Sequence, residues 1–183
     1  MLSESEISTA LKMSRTPVHE ALLKLEFEGH LTLYPRRGAL VLPVSMKDVN
    51  DVLQVRRLVE LFAAEQACDS PRLGGELVAM AEHHATLLEG QDEAFVQADR
   101  DFHQRIVAAT GNALLVQAYG IARDVPLRVP TTALHDDAGR ADSIIVEHQL
   151  IARAIANQDR VAAREAVETH LENSRQSLLR RMR

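Results

Sequence analysis

Aromatic side chains and cysteines are scarce in this chain of 183 residues. Only 3% of the residues are aromatic, tryptophan is absent, and Cys68 is the single cysteine. One thiol excludes a framework of internal disulfide bonds. The chain is instead rich in alanine, leucine, valine, glutamate and arginine, a composition that favours helices over sheets. We therefore expect a mainly α-helical protein.

Long apolar runs are missing as well. No stretch approaches the roughly 20 apolar residues that a membrane-spanning helix needs. The first residues, Met1 to Glu4, lack the basic and then apolar pattern of a signal peptide. These two features predict a cytoplasmic protein with no membrane partner. The length permits either one ordinary domain or one small and one medium domain, with room for a proper core.

Charge is unevenly distributed along the chain. The formal net charge is −5, which by itself counts against nucleic-acid binding, because phosphates are neutralised by lysine and arginine. Residues 1–45, however, hold five of the 21 basic residues and five of the 26 acidic residues, so the whole negative excess lies in residues 46–183. The N-terminal cations collect at the start of one predicted helix and at the tip of a predicted hairpin.

The N-terminal segment predicts two short helices. Ser3 and Glu6 have the spacing of a capping box, and a second helix is expected to begin at Ser14 or Thr16 and to end at Gly29. The stripe that we expect this helix to bury consists of Val18, Ala21, Leu22 and Leu25. Its outward face presents Arg15, Thr16 and His19.

Two β-prone runs, residues 31–34 and 39–42, follow and are separated by a turn that contains Pro35 and Gly38. They predict a two-stranded hairpin with a basic tip. Pro43 marks the end of this unit, so we expect a first domain over residues 1–44. A helix followed by a basic hairpin is typical of a winged helix-turn-helix that binds DNA. The alternative is an ordinary helical hairpin with solvated arginines.

These N-terminal residues resemble the GntR family of bacterial transcription regulators. The resemblance rests on Leu2-Ser3-Glu4, Ser14-Arg15-Thr16-Pro17-Val18-His19-Glu20-Ala21-Leu22, Leu25-Glu26-Phe27-Glu28-Gly29 and Pro35-Arg36-Arg37-Gly38-Ala39-Leu40-Val41. It implies that the second helix enters the major groove of DNA and that the hairpin, or wing, reaches the neighbouring minor groove. The residues that it assigns to DNA binding are Arg15, Thr16, His19, Arg36, Arg37 and Gly38.

The segment departs from the family pattern in three places. His19 stands where the family usually has arginine, so a permanent cation is replaced by a pH-dependent one. Lys12 stands where the family has glycine, and a positive φ there would cost some stability. The family's first helix has no counterpart before Met1. We therefore expect an incomplete winged helix-turn-helix whose upstream segment is missing from this sequence.

From Ser45 onward the pattern is helical almost without interruption. Breaks are predicted at Ser70-Pro71, Gly74-Gly75, Gly90, Gly111-Asn112, a longer loop from Pro126 to Gly139, and Asn157-Gln158-Asp159. They divide residues 47–183 into about six helices, the size of an antiparallel bundle, and we expect a second domain over residues 45–183. His83 and His84 show no partner pattern, so we expect both to be exposed.

Four residues of this second domain stand out as candidate metal ligands. Asp99 and His103 are four residues apart on one predicted helix, so their side chains lie on the same face. His148 and His170 each lie in a helix with many apolar neighbours. Brought together, three imidazoles and one carboxylate would form a site for a divalent first-row metal ion, with open positions for water or a ligand. The alternative is that each histidine is an ordinary capping or surface residue.

Most of residues 47–180 resemble the six-helix form of the ligand-binding domain of the FadR branch of GntR regulators, the FCD domain. The resemblance rests on Ala98-Asp99-Arg100-Asp101-Phe102-His103, Thr110-Gly111-Asn112, Glu147-His148-Gln149-Leu150-Ile151 and Thr169-His170-Leu171. It implies that Asp99, His103, His148 and His170 bind a divalent metal ion, with zinc favoured and nickel or manganese as alternatives. Family members with this set sense small carboxylates that coordinate the metal directly.

Effector-binding candidates follow from the same resemblance. Arg56 and Glu60 match the Arg-x-x-x-Glu pattern of the first bundle helix, and a guanidinium facing the cavity would pair with an effector carboxylate in two hydrogen bonds. An internal pair between the two residues or a surface position for Arg56 is the alternative. Asn112 is a second candidate, equally explained as part of a helix-ending turn. Arg128 and His135 are weaker candidates.

These observations predict a homodimeric transcription regulator whose helical domain binds a metal ion and a small carboxylate. A dimer is expected because a two-fold protein reads a palindromic operator through two half-sites. We do not expect an enzyme, because no further glutamate, serine or lysine at a diagnostic spacing offers a general base. A metal-dependent enzyme and a metal-stabilised helical interaction protein are the alternatives.

Overall fold

The computed structural model describes residues 1–43, 45–87, 92–124 and 139–181. The chain separates into two compact units, Met1–Pro43 and Val44–Arg183. The elements of the described residues are, in order, α1 (Glu4–Leu11), α2 (Arg15–Phe27), β1 (Leu31–Tyr34), β2 (Gly38–Val41), α3 (Met46–Ala67), α4 (Pro71–His84), α5 (Asp92–Ala108), α6 (Ala113–Asp124), α7 (Arg140–Ala156) and α8 (Arg160–Arg181). The prediction of a mainly helical protein is confirmed.

The N-terminal unit packs α1, α2 and the hairpin around a small apolar core. That core consists of Val18, Leu22, Leu31 and Ala39. The two strands pair antiparallel with Leu31 opposite Val41 and Tyr34 opposite Gly38. Leu2 extends this sheet, because its N–H donates to the carbonyl of Ala39 at 2.7 Å and its carbonyl accepts the Ala39 N–H at 2.8 Å. The predicted winged helix-turn-helix elements are therefore present.

Three local predictions for this unit have mixed outcomes. Lys12 adopts φ 53° and ψ 39° at the end of α1, as expected for a lysine in a position suited to glycine. Gly29 has φ +76° just beyond α2 and confirms the predicted cap. The prediction of a capping box at Ser3 is wrong. Ser3 is the N-cap residue, but its side chain makes no capping hydrogen bond and Glu6 stays exposed.

The apolar stripe of α2 is buried only in part. Val18 and Leu22 are buried, whereas Ala21 is exposed and Leu25 is 37% exposed. The hairpin packs against only one side of α2 and buries Val18 and Leu22 there. The predicted apolar stripe extends beyond that contact. The prediction that all four residues are buried is wrong for Ala21 and Leu25.

The C-terminal unit is a bundle built from α3 to α8. Helix α4 packs on α7, α3 packs on α8, and α7 packs on α8, so these four helices form the centre of the bundle. The short turns at residues 68–70, 109–112 and 157–159 fall at or next to predicted breaks. Within the described ranges, no helix combines the length and the apolar character that crossing a membrane requires. The predicted breaks at Gly90 and at residues 126–138 lie outside the described residues.

The predicted break at Gly74-Gly75 is wrong, because both glycines lie inside α4. Gly74 is buried where α4 crosses the C-terminal end of α7, and a Cβ at this position would lie 2.4 Å from the Cα of Ala156. A Cβ at Gly75 would meet nothing within 4 Å. Gly74 therefore permits the close approach of two helix backbones rather than ending a helix.

Candidate metal centre and nucleic-acid surface

The four candidate ligands come together inside the bundle. Asp99 and His103 lie one turn apart on α5, while α7 contributes His148 and α8 contributes His170. One ligand atom from each residue lies within 4.8 Å of the ligand atoms of the others. The three histidines are at most 1% exposed, and Asp99 is half-buried. Residues that are remote in sequence thus form one cluster of nitrogen and oxygen donors.

The spacing within the cluster suits a small cation. The Nε2 atoms of His103 and His148 are 3.1 Å apart, and Oδ1 of Asp99 lies 3.4 Å from Nε2 of His148. In tetrahedral coordination with bonds of about 2.0–2.1 Å, neighbouring ligand atoms lie about 3.3 Å apart. The closest donor atoms already have this separation, so the donor set fits a divalent ion that prefers nitrogen and oxygen ligands.

Carboxylates lie behind two of the three histidines. Oε2 of Glu147 lies 2.7 Å from Nδ1 of His170. Oε2 of Glu60 lies 2.9 Å from Nδ1 of His103, although this contact does not have the angles of a normal hydrogen bond. A carboxylate at Nδ1 favours a proton on that nitrogen and directs the lone pair of Nε2 to the opposite side of the ring, as found around metal-bound histidines.

Glu147 is held by several donors at once. Both terminal nitrogens of Arg140 donate to its two oxygens at 2.8 and 3.1 Å, and Nδ2 of Asn173 donates at 2.7 Å. Burial favours the neutral acid, but the bonds from His170 and Arg140 outweigh it and lower the pKa of Glu147 to about 2. The carboxylate is therefore a fixed negative charge that orients the ring of His170.

Asp99 is also fixed from outside the cluster. Nη2 of Arg123, on α6, donates to Oδ2 of Asp99 at 2.6 Å, which leaves Oδ1 toward His148 and His103. Burial would raise the pKa of Asp99, but Arg123 and the three histidines hold it well below its usual value. Asp99 is thus ionised at neutral pH, as a metal ligand must be.

Two of the three candidate histidines, His148 and His170, are held neutral. Burial lowers the pKa of His148 well below its usual value, and the neighbouring His103 lowers it further. Burial lowers the pKa of His170 to about 4, although Glu147 favours its protonated form. Neutral imidazoles are the form that binds a metal ion, so these two rings each have an unprotonated nitrogen available at physiological pH.

Arg56 forms an internal ion pair with Glu60, which was one of the alternatives to an effector contact. Its Nε donates to Oε1 of Glu60 at 2.6 Å, and the hydroxyl of Tyr119 donates to the same oxygen at 2.9 Å. Burial would raise the pKa of Glu60, but Arg56 and His103 hold it well below its usual value. Nη2 of Arg56 is buried and meets no hydrogen-bond partner among the described residues. Nη2 of Arg56 therefore remains available to donate a hydrogen bond to a bound anion.

Asn112 does not join this cluster. It is exposed, and its Oδ1 accepts the backbone N–H groups of Leu114 and Leu115 at 3.0 and 3.3 Å. The side chain therefore caps α6, which is the turn interpretation of its sequence position. Arg128 and His135 lie outside the described residues.

The prediction that His83 and His84 are both exposed is wrong for His84. His83 is exposed, but His84 is 1% exposed and its Nδ1 lies 3.1 Å from Nδ1 of His148. A signal for this burial was present in the sequence, because His84 continues the buried stripe of α4 at helical spacing. The stripe consists of Leu73, Leu77, Ala81 and His84.

The residues assigned to DNA binding lie on the surface of the N-terminal unit. Arg15, His19, Arg36 and Arg37 are exposed and line one groove between α2 and the hairpin turn, whereas Thr16 is exposed outside this lining. Within the unit, Nη2 of Arg15 donates to Oγ of Ser5 at 3.1 Å. Nδ1 of His19 lies 2.5 Å from Oε1 of Glu4.

Gly38 has a structural explanation in the same unit. Its φ is +102°, and a Cβ at this position would lie 2.2 Å from the carbonyl oxygen of Leu2. Glycine at this position therefore permits the close approach of its backbone to Leu2 of the same chain.

Comparison with known families identifies both units. Residues 1–41 match the family described as bacterial regulatory proteins, gntR family, and residues 51–173 match the FCD domain. A helix-turn-helix unit with a basic wing, followed by a helical bundle, thus defines a two-domain transcription regulator. The chain belongs to the GntR family of bacterial transcription regulators and carries a C-terminal FCD domain.

Individual relatives agree with this assignment. The Uxu operon transcriptional regulator of Escherichia coli is 30% identical over an alignment of 200 positions, which covers 96% of this chain and 77% of the relative. An HTH-type transcriptional regulator of Streptomyces ambofaciens is 30% identical over 176 residues, 93% of this chain and 72% of the relative. These relatives and the family are regulators, not enzymes.

Solved structures share the fold. E. coli McbR/YncC matches with a TM-score of 0.79 at 22% identity, covering 100% of this chain and 88% of that one. A transcriptional regulator from Rhodococcus sp. RHA1 matches with a TM-score of 0.75 at 22% identity, covering 97% and 86%. GntR regulators bind operator DNA and typically act as dimers, and this chain is a DNA-binding transcription regulator of that family.

Proposed function

We propose that this protein is a homodimeric regulator whose FCD domain binds one divalent metal ion and a small carboxylate, and that this binding changes its affinity for a palindromic operator. The observation that carries the proposal is the convergence of Asp99, His103, His148 and His170, whose ligand atoms lie within 4.8 Å of one another. A coupling of about 1–3 kcal/mol between effector and operator binding changes operator affinity about 5- to 150-fold.

The bundle residues have separate roles in this proposal. Asp99 and the three histidines hold the ion, for which zinc is the best match among zinc, nickel and manganese to three nitrogens and one oxygen. The bound ion supplies a positive centre that attracts a carboxylate. Glu147 and Glu60 orient the rings of His170 and His103, and Arg123 orients Asp99.

Metal binding is tested with zinc alone. The wild-type chain is expected to retain one zinc ion per chain after dialysis and to melt at a higher temperature with zinc than without it, since a ligand present at 100 times its Kd contributes about 2.7 kcal/mol. His148→Ala is expected to lose both effects. His83→Ala is the matched control, because it removes an exposed histidine from α4. Equal zinc content in the wild type and His148→Ala contradicts the metal assignment.

The effector carboxylate is assigned to Arg56. Its buried Nη2 has no hydrogen-bond partner among the described residues, although Nε is bonded to Glu60, and a buried N–H donor without an acceptor is stabilised by an anion. Acetate and succinate are the first probes. For a carboxylate that binds the zinc-loaded chain, Arg56→Lys is expected to weaken binding about 10- to 100-fold, because lysine lacks the forked donor geometry. The control is Arg57→Lys, an exposed neighbour on α3.

Operator contacts are assigned to the exposed basic face of the N-terminal unit. Arg15, Thr16 and His19 would contact the major groove, and Arg36 and Arg37 would contact phosphates or the minor groove beside it. Arg15→Ala is expected to weaken operator binding by about 1–3 kcal/mol and to relax the preference for one base pair. The control is Arg153→Ala, an exposed arginine of α7. Unchanged operator affinity in Arg15→Ala contradicts the assignment.

The dimer is tested by sedimentation of the full chain with and without operator DNA. Two chains per palindromic site are expected, with each N-terminal unit on one half-site. One chain per site at saturation contradicts the dimer. Half-site spacing follows from the same experiment when the two half-sites are moved apart in steps of one base pair.

A further inference from the structure

His84 contacts the candidate metal centre without belonging to it. Its ring is buried at the end of α4, packs against Phe95 with ring centres 4.0 Å apart, and places Nδ1 at 3.1 Å from Nδ1 of His148. Nε2 of His148, on the other side of the ring, is the atom that lies 3.1 Å from Nε2 of His103. His84 thus lies directly behind a candidate ligand.

The three candidate histidine ligands differ in what lies behind them. Behind His170 and His103 are the carboxylates of Glu147 and Glu60, which are ionised and accept hydrogen bonds only. The carboxylate of Glu147 therefore fixes a proton on Nδ1 of His170 and leaves its Nε2 free of a proton. The carboxylate of Glu60, 2.9 Å from Nδ1 of His103, favours the same form of that ring. Behind His148 is another imidazole, which can either donate or accept at its Nδ1.

His84 can either donate a hydrogen bond to Nδ1 of His148 or accept one from it, and only one of these two forms leaves the Nε2 lone pair of His148 facing the cluster. If His84 donates its Nδ1 proton, the single proton of neutral His148 must sit on Nε2, which then cannot bind a cation. If His84 accepts, His148 carries its proton on Nδ1 and Nε2 is free. In the accepting form, the proton of His84 lies on its own Nε2, away from His148.

We propose that His84 is a positioning residue that accepts the Nδ1–H of His148 and so holds this ligand in its metal-binding form. The inference rests on the proposed metal site and adds a member to its outer layer. A neutral imidazole raises the basicity of the ring that donates to it less than a carboxylate does. His148 is therefore a weaker donor to the ion than His170, whose ring donates to the carboxylate of Glu147.

The first test is a zinc titration of three variants. His84→Phe keeps an aromatic ring against Phe95 but removes the acceptor, and zinc affinity is expected to fall about 10- to 100-fold. His84→Asn places an amide oxygen where Nδ1 was, so it is expected to retain affinity within a few-fold of wild type. His83→Phe, one residue away and exposed, is expected to change nothing. Retained affinity in His84→Phe with a loss in His84→Asn means that His84 only fills space, and equal losses in both variants mean that an acceptor alone does not restore the site. Either result overturns the proposal.

The second test reads the proton position in the wild-type protein and so does not depend on the folding of a variant. Nitrogen NMR of the imidazole rings, with His148 assigned by through-bond correlation to its own backbone, is expected to show a proton on Nδ1 of His148 with zinc and without it. A proton on Nε2 in the zinc-free protein, or zinc bound through Nδ1, overturns the proposal.

The outcomes also separate this inference from the metal site itself. If the wild type binds no zinc, the proposed metal function fails. If the wild type and His84→Phe bind zinc equally, the metal function stands and the role of His84 is refuted.

Discussion

The close crossing of α4 and α7 makes Gly74 a position where one methyl group is expected to be costly. A Cβ there would lie 2.4 Å from the Cα and 2.9 Å from the backbone nitrogen of Ala156, so two helix backbones must separate before alanine fits. Overpacking of this kind costs about 1–3 kcal/mol, and the better helix propensity of alanine returns about 0.5–1 kcal/mol. Gly74→Ala is therefore expected to destabilise the bundle by about 1–2 kcal/mol.

Gly75→Ala is the matched control, because it makes the same chemical change one residue along the same helix. A Cβ there meets nothing within 4 Å, so only the gain in helix propensity remains and the bundle is expected to gain about 0.5–1 kcal/mol. The two variants should thus differ by about 2 kcal/mol in denaturant or thermal unfolding of the bundle. Gly74→Ala equal to or more stable than Gly75→Ala would refute the argument from close helix packing.

Three further outcomes are expected. Lys12→Gly should stabilise the N-terminal unit by about 1 kcal/mol, because Lys12 holds φ 53°; a lower melting temperature contradicts this. Glu147→Gln should destabilise the metal-free bundle by about 3–5 kcal/mol, since it leaves buried Arg140 without its anion; the check is denaturant unfolding, and a change under 1 kcal/mol contradicts it. Burial lowers the pKa of His170 from 6.5 to about 4, so the imidazole is protonated more readily in the unfolded chain than in the folded one. The metal-free bundle should therefore lose stability as the pH falls from 6.5 to 4, by about 2 kcal/mol at pH 5. An unchanged denaturant midpoint between pH 7.5 and pH 5 contradicts this.

Local sequence patterns predicted most of the fold correctly. Helix breaks at residues 70–71 and 157–159 carry turn residues, and the hairpin turn carries Pro35 and Gly38, so short-range preferences decide these positions. Gly74 shows where such reasoning fails. A glycine selected for a helix crossing has the same local signature as a glycine that ends a helix, and only the partner, Ala156, distinguishes the two.

For the candidate site too, some features follow from local sequence and others depend on how the helices pack. The spacing of Asp99 and His103 places both on one face of a helix, which sequence alone can predict. Their meeting with His148 and His170 depends on how three helices pack, and only the family resemblance pointed to it. The metal-binding role of these residues stays a prediction.

The outer layer of the site was harder to foresee. Arg140 reaches Glu147 across two turns of α7, beyond the i,i+4 spacing of ordinary side-chain pairs, and Arg123 reaches Asp99 from another helix. Neither contact matches the spacing by which ion pairs are recognised in a sequence. His84 is different, because it lies at a buried position of an amphipathic helix. A buried position occupied by histidine rather than leucine is itself a reason to look for a polar partner.

X-ray absorption of the protein loaded with one equivalent of zinc would show whether the four residues bind an ion together. We expect one tightly held ion per chain, with three imidazole nitrogens and at least one oxygen at about 2.0–2.1 Å. A zinc ion bound by one imidazole or none, or lost on simple buffer exchange, would refute the metal site.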